Sequence, residues 1–377
     1  MIERVVPNVH KIAVLRANGI GDLIFALPAL DALRAAYPTA EIVLLGQQWH
    51  AEFLAGRPGP VDRVVVVPPS QGVNDAPGGV EDPARLEEFF AAMTEEAFDL
   101  AVQLHGGGRY SNPFVRRLGA RLTVGLRTPD AVPLDRWVPY VYFQREVLRF
   151  LEVVALVGAT PVGVEPRLDV TAADLTESQR VVPEDDRPLV ALHPGAGDPE
   201  RRWPAEKFAV VGDALAAAGA RVVITGARPG ERVIVERVAA AMTAPAQVLW
   251  GRLSLGGLAA LFSRCTVVVS NDSGPLHLAG AVGAHTVGIY WCFNFINAGP
   301  MTQTRHRPAI AWRIHCPVCG IDRSRARCDH HPSFVADVSA AEVSAAALEL
   351  FEAARGRIAQ GGQPARRQAT LLRDDGS

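Results

Sequence analysis

The chain has 377 residues, 49% of them hydrophobic, and is therefore long enough for two domains that each bury a core. Its formal net charge of −2 provides no bulk attraction to nucleic acid, which is not expected as a partner. No uninterrupted apolar run reaches the roughly 18 residues of a transmembrane helix, and the N-terminus carries no signal-like segment. We therefore expect a soluble, cytoplasmic protein.

Predicted strands and helices alternate in two blocks along the chain. The strands are expected at 12–15, 41–45, 64–67, 100–104 and 122–124 in the first block, and at 189–192, 221–225, 247–249 and 266–270 in the second. Such alternation is typical of a parallel sheet covered on both faces. The predicted fold class is α/β, with two facing Rossmann-like domains and a cleft between them.

The segment 158–187 is rich in proline and acidic residues and has no long apolar period, so we interpret it as the linker. The expected division is an N-terminal acceptor-binding domain over 1–165 and a C-terminal nucleotide-sugar-binding domain over 166–355. The polar remainder, 356–377, is expected to be disordered.

A glycine-containing loop joins the first predicted strand to its helix and includes Asn18, Gly19, Gly21 and Asp22. Its spacing differs from the dinucleotide fingerprint G-x-G-x-x-G, which argues against a nicotinamide enzyme. Asp22 falls in the first helical turn, where the helix dipole favours a carboxylate. It either stabilises the helix alone or also accepts a proton from a substrate hydroxyl.

The strand at 266–270 runs directly into Asp272, Ser273 and Gly274 at the start of a helix. Unpaired N–H groups and the helix dipole favour a phosphate there, and Asp272 could accept hydrogen bonds from the hydroxyls of an adjoining sugar. These features together indicate a nucleotide sugar. The alternative is an ordinary turn in which Asp272 or Ser273 only caps the helix. His277 either faces the phosphates or is a core histidine.

Two further loops of the second block follow predicted strands. In 193–204, the side-chain-poor backbone of 195–197 can wrap a diphosphate, and Arg201 or Arg202 can neutralise it. A surface turn with solvated arginines is the alternative. In 225–231, Glu231 either accepts hydrogen bonds from a ribose or is a favourable charge at a helix start.

These motifs resemble the heptosyltransferases of glycosyltransferase family 9. The resemblance runs from Lys11 to Tyr290 and rests on three ordered motifs: Gly21-Asp22 with Leu27-Pro28-Ala29-Leu30, His193-Pro194-Gly195 leading to Arg201-Arg202-Trp203-Pro204, and Leu253-Ser254-Leu255 leading to Asn271-Asp272-Ser273-Gly274-Pro275-Leu276-His277.

The resemblance implies a GT-B fold and an inverting, metal-independent transfer of a sugar, commonly heptose, from an ADP-sugar to an acceptor hydroxyl. Asp22 falls at the general base and Arg201 at a phosphate-binding lysine, a change that keeps the charge and alters its geometry. The expected donor-binding residues are Ala196, Gly197, Arg202, Gly226, Glu231, Leu253, Asp272, Ser273, Gly274 and His277. The expected acceptor-binding residues are Asn18, Gly21, His105 and Gly106.

No cofactor is expected in catalysis, and the partners are an ADP-sugar donor and an acceptor that is a cell-envelope glycan or a small metabolite. A lipid-borne acceptor would require peripheral membrane contact, although no basic amphipathic helix is evident. A nucleotide-sugar epimerase or hydrolase of the GT-B type is the alternative enzyme. A nucleotide-binding protein without catalysis is the third interpretation.

Cys316, Cys319 and Cys328, with His330 or His331, supply enough ligands for one tetrahedral zinc ion. The C-x-x-C half has the usual spacing of a structural zinc site, and the second half is irregular. Reduced thiols or an adventitious disulfide are the alternatives, and we expect no metal in the catalytic site.

Overall fold

The computed structural model describes residues 5–359, which form two units that are each built on a six-stranded parallel sheet. The first unit contains the described residues up to Asp169 together with Phe293–Met301. The second contains Val170–Cys292 and the described residues from Thr302 onward. From the sequence we expected the boundary after residue 165 and residues 293–301 in the second domain.

The first unit alternates strands and helices along its whole length. Its elements are β1 (Lys11–Leu15), α1 (Ile20–Ala36), β2 (Glu41–Gly46), α2 (Gln48–Leu54), β3 (Arg63–Val66), α3 (Pro83–Glu95), β4 (Leu100–Gln103), α4 (Ser111–Arg116), β5 (Leu122–Arg127), β6 (Arg136–Pro139) and α5 (Glu146–Ala155). The strand order is β3-β2-β1-β4-β5-β6, and all neighbours pair in parallel. This is the strand order of a Rossmann fold.

The second unit repeats that architecture. Its elements are α6 (Ala172–Val181), β7 (Leu189–His193), α7 (Ala205–Ala217), β8 (Arg221–Ile224), α8 (Arg232–Ala241), β9 (Ala246–Val248), α9 (Leu255–Arg264), β10 (Val267–Asn271), α10 (Gly274–Ala281), β11 (His285–Trp291), α11 (Cys292–Ala298, in the first unit from Phe293), β12 (His306–Ala311) and α12 (Ala340–Ala359). The order is β12-β11-β10-β7-β8-β9, again entirely parallel.

The central strands have helices on both faces and are buried throughout. All residues of β4, β7 and β10 are buried, which explains their nearly continuous apolar sequences. Helices α1 and α7 likewise bury most of their apolar residues against the sheets. Within residues 5–359, no helix combines the length and apolar character needed to cross a membrane.

The structure adds elements that the sequence analysis did not predict. Helix α6 lies inside the segment that we interpreted as a linker. Thr171 and Asp174 form a capping box that starts this helix, and Arg264 of α9 donates a 2.7 Å hydrogen bond to Ser178. Helix α12 continues through Ala359, so residues 356–359 of the expected tail are helical, and 360–377 lie outside the described residues.

Gly108, in the loop after β4, is expected to tolerate no side chain. Its φ of +97° is strained for other residues, and an added Cβ would lie 2.8 Å from the Leu126 carbonyl oxygen. Gly108→Ala should therefore lower the free energy of unfolding by about 2 kcal/mol or more. Gly106→Asn is the control, because Gly106 has a φ of +61° and open space around its Cα. Equal losses in urea unfolding would contradict this prediction.

Candidate functional site

Each sheet has one topological switch point, where the strand order reverses and the loops that follow two neighbouring strands lead to opposite faces of the sheet. In the first unit this point lies between β1 and β4, and in the second it lies between β7 and β10. Ligands of open α/β sheets bind outside the carboxyl ends of the strands at such points. Most of the predicted site residues follow these four strands, whereas Gly226 and Glu231 follow β8 and Leu253 follows β9. The strand ends of the two units are described in turn.

A buried carboxylate marks the end of β10. The side chain of Asp272 is 2% exposed, and Arg201 Nη1 lies 3.3 Å from its Oδ2. The same nitrogen donates to the Asp272 carbonyl oxygen at 3.2 Å. His277 Nε2 lies 3.1 Å from Asp272 Oδ1. The structure therefore brings together three predicted residues that come from two separate motifs.

The electrostatics of Asp272 follow from these neighbours. Burial by itself raises the pKa of Asp272, but the hydrogen bond and charge of His277, with those of Arg201, bring it below its ordinary value. Arg201 remains 28% exposed at the side chain. Within residues 5–359, its guanidinium makes no hydrogen bond beyond the two from Nη1. Its remaining nitrogen donors are therefore free to face an anion.

Helix α10 begins beside this carboxylate. Its N-cap, Ser273, makes no side-chain capping hydrogen bond, and Pro275 lies in the first turn. Ser273 and Gly274 are both half-buried. A helix start with unpaired N–H groups is an anion-binding position. The start of α10 directly follows Asp272, whose carboxylate pairs with Arg201.

The loop from Pro194 to Pro204 is held by Asn271, the last residue of β10. Asn271 Nδ2 donates to the Pro194 carbonyl oxygen at 2.8 Å, and Asn271 Oδ1 accepts from the Trp203 amide at 3.1 Å. Arg202 Nε donates to the Ala196 carbonyl oxygen at 2.9 Å. Arg202 therefore fastens the loop, while Arg201 contacts Asp272. We did not single out Asn271 in the sequence, although it directly precedes the predicted acid.

Glu231 occupies a buried position beneath the glycine-rich part of this loop. Its Oε2 accepts hydrogen bonds from the amides of Ala227 and Arg228, at 2.9 and 3.1 Å. A Cβ added to Gly195 would lie 2.5 Å from Glu231 Oε1. The glycine therefore permits close approach of the carboxylate, and ribose binding by Glu231 stays a prediction.

Other predicted donor residues lie around the same strand ends. Gly226 is buried, and a Cβ there would lie 2.8 Å from Val235 Cγ2. A Cβ added to Gly197 would lie 2.7 Å from Arg228 Nη1, a cation that is not among the predicted site residues. Leu253 is half-buried before α9, and its predicted contact with adenine stays a prediction.

In the first unit, Asp22 is held by a buried arginine. Arg16 Nη2 lies 2.6 Å from Asp22 Oδ1, and the Gly19 amide donates to Oδ2 at 2.9 Å. Arg16 also donates to the Leu104 carbonyl oxygen and stacks on Phe150. The Arg16 side chain is 3% exposed, whereas that of Asp22 is 39% exposed. Arg16 and the Gly19 amide therefore fix the orientation of the Asp22 carboxylate, while part of its side chain stays exposed to solvent.

Asp22 lies on the wall of a cavity of about 190 Å³ within the first unit. The predicted residues Asn18 and Gly106 also line it, whereas Gly21 and His105 do not. His105 is buried, and burial lowers its pKa to about 3. The remaining lining residues were not predicted: Arg16, Leu126, Tyr140, Glu146, Arg149 and Phe150.

Arg16 could have been found in the sequence, because it directly follows the first strand. The other unpredicted residues come from β5, the segment after β6 and α5, which only tertiary structure brings to this point. Glu146 pairs with Arg149 and lies 3.7 Å from Arg16. The cavity therefore carries two carboxylates and two guanidinium groups, and its polar lining suits a ligand with several hydroxyl groups.

Two Rossmann-like units with ligand-binding residues at their strand ends are the architecture of GT-B glycosyltransferases. The family model described as glycosyltransferase family 9 (heptosyltransferase) matches residues 87–307. This chain belongs to glycosyltransferase family 9, and it is a glycosyltransferase. The fold class and family expected from the sequence are confirmed.

Individual relatives agree with that assignment. Lipooligosaccharide heptosyltransferase 2 of Haemophilus ducreyi is 23% identical over 298 residues, which cover 72% of this chain and 80% of the relative. A solved family 9 glycosyltransferase from Veillonella parvula superposes with a TM-score of 0.74 at 22% identity, covering 91% of this chain and 97% of that one. The ADP-heptose lipopolysaccharide heptosyltransferase II of Escherichia coli superposes with a TM-score of 0.71 at 18% identity, covering 92% and 99%.

His193, at the end of β7, is expected to make stability depend on pH. Burial lowers its pKa to about 4, against about 6.5 in the unfolded chain, so the unfolded state binds more protons between these values. The contribution of His193 to the free energy of unfolding is then fully present above pH 6.5 and is lost as the pH falls toward 4. At pH 5 the loss from this residue is about 2 kcal/mol. His193→Gln should reduce the loss between pH 7 and pH 5 in urea titrations. An unchanged loss would contradict the prediction.

Proposed function

We propose that this glycosyltransferase transfers heptose from an ADP-sugar to a hydroxyl of a lipopolysaccharide-type core, with inversion at the anomeric carbon. The observation that carries the proposal is the grouping of Arg201, Asp272 and His277 beside the start of α10. This grouping combines a cation and helix amides for a diphosphate with a carboxylate for sugar hydroxyls. The relatives named for heptose transfer support the sugar, and the E. coli name supports the nucleotide.

The donor is assigned to the second unit. Its diphosphate binds the amides of Ser273 and Gly274 and the free nitrogens of Arg201, and it contacts the side-chain-poor backbone of 195–197, which Arg202 holds in place. Asp272 accepts hydrogen bonds from the sugar, because its carboxylate is ionised and fixed by His277. These donors stabilise the negative charge that grows on the departing ADP, an effect worth about 3 to 4 kcal/mol per well-placed donor.

The acceptor is assigned to the first unit, whose polar cavity suits a carbohydrate. Asp22 takes the proton of the acceptor hydroxyl while that oxygen attacks the anomeric carbon and the bond to the ADP oxygen breaks. A single displacement of this kind inverts the anomeric centre. Arg16 fixes the direction of the carboxylate, and the exposed side of Asp22 receives the proton.

Asp22→Asn should separate chemistry from donor binding. The amide keeps the shape of the side chain and can still accept one of the two hydrogen bonds, from Arg16 or from Gly19, but it cannot accept the proton. Turnover with ADP-heptose and a heptose-deficient core acceptor should therefore fall at least about 100-fold. The dissociation constant of ADP, measured by calorimetry, should stay within twofold, because Asp22 belongs to the acceptor side. Turnover within tenfold of the parent would remove Asp22 from the role of base.

Arg201→Ala should weaken ADP binding by about tenfold or more, which is the usual cost of losing a charge-assisted hydrogen bond. Arg201→Lys should lose less, because the charge stays and only the forked geometry is lost. Arg237→Ala is the matched control, since Arg237 is 64% exposed and, among the residues that the structure describes, forms an ion pair only with Glu206 on the surface. If Arg201→Ala and Arg237→Ala had equal affinities for ADP, the assignment of Arg201 would fail.

One incubation distinguishes transfer from the alternative enzyme class. With ADP-heptose alone, a transferase should release little ADP, whereas an epimerase or hydrolase of the same fold would form a new nucleotide sugar or free heptose. Thermal shifts with ADP-, GDP-, UDP- and dTDP-sugars test the nucleotide, because a bound ligand stabilises the protein by mass action. The ADP compounds are expected to give the largest shift.

A further inference from the structure

A loop of the second unit, residues 314–334, brings three thiols and an imidazole to one point. The ligand atoms of Cys316, Cys319, Cys328 and His330 all lie within 4.8 Å of one another. In a tetrahedral zinc site with Zn–S bonds of about 2.3 Å, neighbouring sulfurs lie about 3.8 Å apart. Only a small contraction would therefore complete the tetrahedron. The structure selects His330, whereas His331 lies 3.4 Å from Glu200.

The backbone around the first two thiols is already folded into a tight turn. The amide of Gly320 donates to the Cys316 carbonyl oxygen, and the Cys316 amide donates to the carbonyl oxygen of Ile321, both at 2.9 Å. Gly320 has a φ of +74°, a conformation that side-chain-bearing residues seldom adopt. The turn holds the two thiols of the C-x-x-C pair on the same side of the chain.

Between the buried Cys316 and Phe334, few apolar contacts hold the loop in place. All of residues 317–333 are described, and none of them is a buried hydrophobic residue. Val318 is 62% exposed and Ile321 is 38% exposed. A long segment without strand, helix or apolar core is usually ordered by a cross-link or a ligand.

The loop is also joined to the turn that carries Arg201. Arg323 Nη1 donates to Cys328 Sγ at 3.3 Å, and Arg323 Nη2 lies 3.0 Å from Glu200 Oε1. The side chains of Arg323 and Glu200 are each 7% exposed, so this ion pair is buried. Ser333 Oγ donates to the Arg202 carbonyl oxygen at 2.6 Å, and the Phe334 amide donates to that of Glu200 at 2.8 Å.

We propose that Cys316, Cys319, Cys328 and His330 bind one structural zinc ion, and that the bound loop positions Arg201 through the Arg323–Glu200 pair. Three thiolates and one imidazole are a closed, tetrahedral donor set of the kind that zinc occupies in structural sites. Arg323 is the outer partner that donates to a ligating sulfur, as such sites commonly require. The effect on Arg201 rests on the proposed function, whereas the metal site does not.

Metal analysis of the full chain, purified without added metal or chelator, tests the site directly. About one equivalent of zinc is expected in the parent, and less than a tenth in Cys319→Ser and in His330→Ala. Asp329→Asn is the matched control, because Asp329 is exposed between two ligands and lies outside the cluster. It should keep the full equivalent. Cobalt loaded in place of zinc should show the absorption of a tetrahedral, thiolate-bound ion.

Three outcomes would overturn the zinc site. They are less than a tenth of an equivalent of any metal in the parent, an intact Cys316–Cys319 disulfide by mass spectrometry under the same conditions, or full zinc retention in Cys319→Ser. A full equivalent of iron without zinc would overturn the identity of the metal. None of these results depends on sugar transfer.

Glu200→Gln tests the coupling to Arg201. This variant should keep its zinc but bind ADP about fivefold to tenfold more weakly, because the charge that fixes the turn through Arg323 is lost. Cys319→Ser should weaken ADP binding by a similar factor. Unchanged ADP affinity in both variants would overturn the positioning role. Absence of ADP binding in the parent would instead overturn the proposed function and leave the zinc result standing.

Discussion

The buried carboxylate of Asp272 is the constraint around which the second unit's ligand site is organised. An ionised group that is 2% exposed must be paired, because desolvation of an isolated charge is costly. Its partners come from the turn after β7 and from α10, so the chain must bring both to the end of β10. The turn that carries Arg201 is held on two sides. Asn271 accepts a hydrogen bond from the Trp203 amide, and Glu200 pairs with Arg323.

Each unit contains a carboxylate–guanidinium pair in which one member is buried and the other is partly exposed, and the buried member has the opposite charge in the two units. In the first unit the cation is buried and the acid is open, since Arg16 is 3% exposed and Asp22 is 39% exposed. In the second unit the acid is buried and the cation is open, since Asp272 is 2% exposed and Arg201 is 28% exposed. The open member of each pair faces the solvent with a fixed direction. A carboxylate suits a hydroxyl substrate, whereas a guanidinium suits a phosphate.

The loop of residues 314–334, which carries the three cysteines, lies outside the two charged pairs just described. It contributes no residue to the grouping around Asp272, but its arginine is the buried counter-ion of Glu200 in the turn before Arg201. A loop with few apolar contacts holds such a pair poorly unless it is itself ordered. A metal would supply that order without taking part in bond making, so metal-independent transfer and a structural metal are compatible in one chain.

The sequence alone determined the α/β class, the repeated alternation and the positions after strands at which the proposed ligand-binding residues lie. These properties depend on local apolar periodicity and on glycines and acids at strand ends, which neighbouring residues reveal. Asp22 and Asp272 could be singled out for that reason, whereas the choice of Arg201 over Arg202 came from the family resemblance. Helix α6 could not be, because its short sequence has a weak apolar period and depends on packing against α9.

Only the tertiary structure decided which side chains share a surface. Asn271 contacts both ends of the loop from Pro194 to Pro204, and Glu146 of α5 lies beside Arg16 in the cavity, so residues far apart in the chain meet at each site. The choice of His330 over His331, and the pairing of Arg323 with Glu200, likewise depend on how a loop folds back. Such contacts are set by the three-dimensional path of the backbone, which residue spacing along the sequence does not encode.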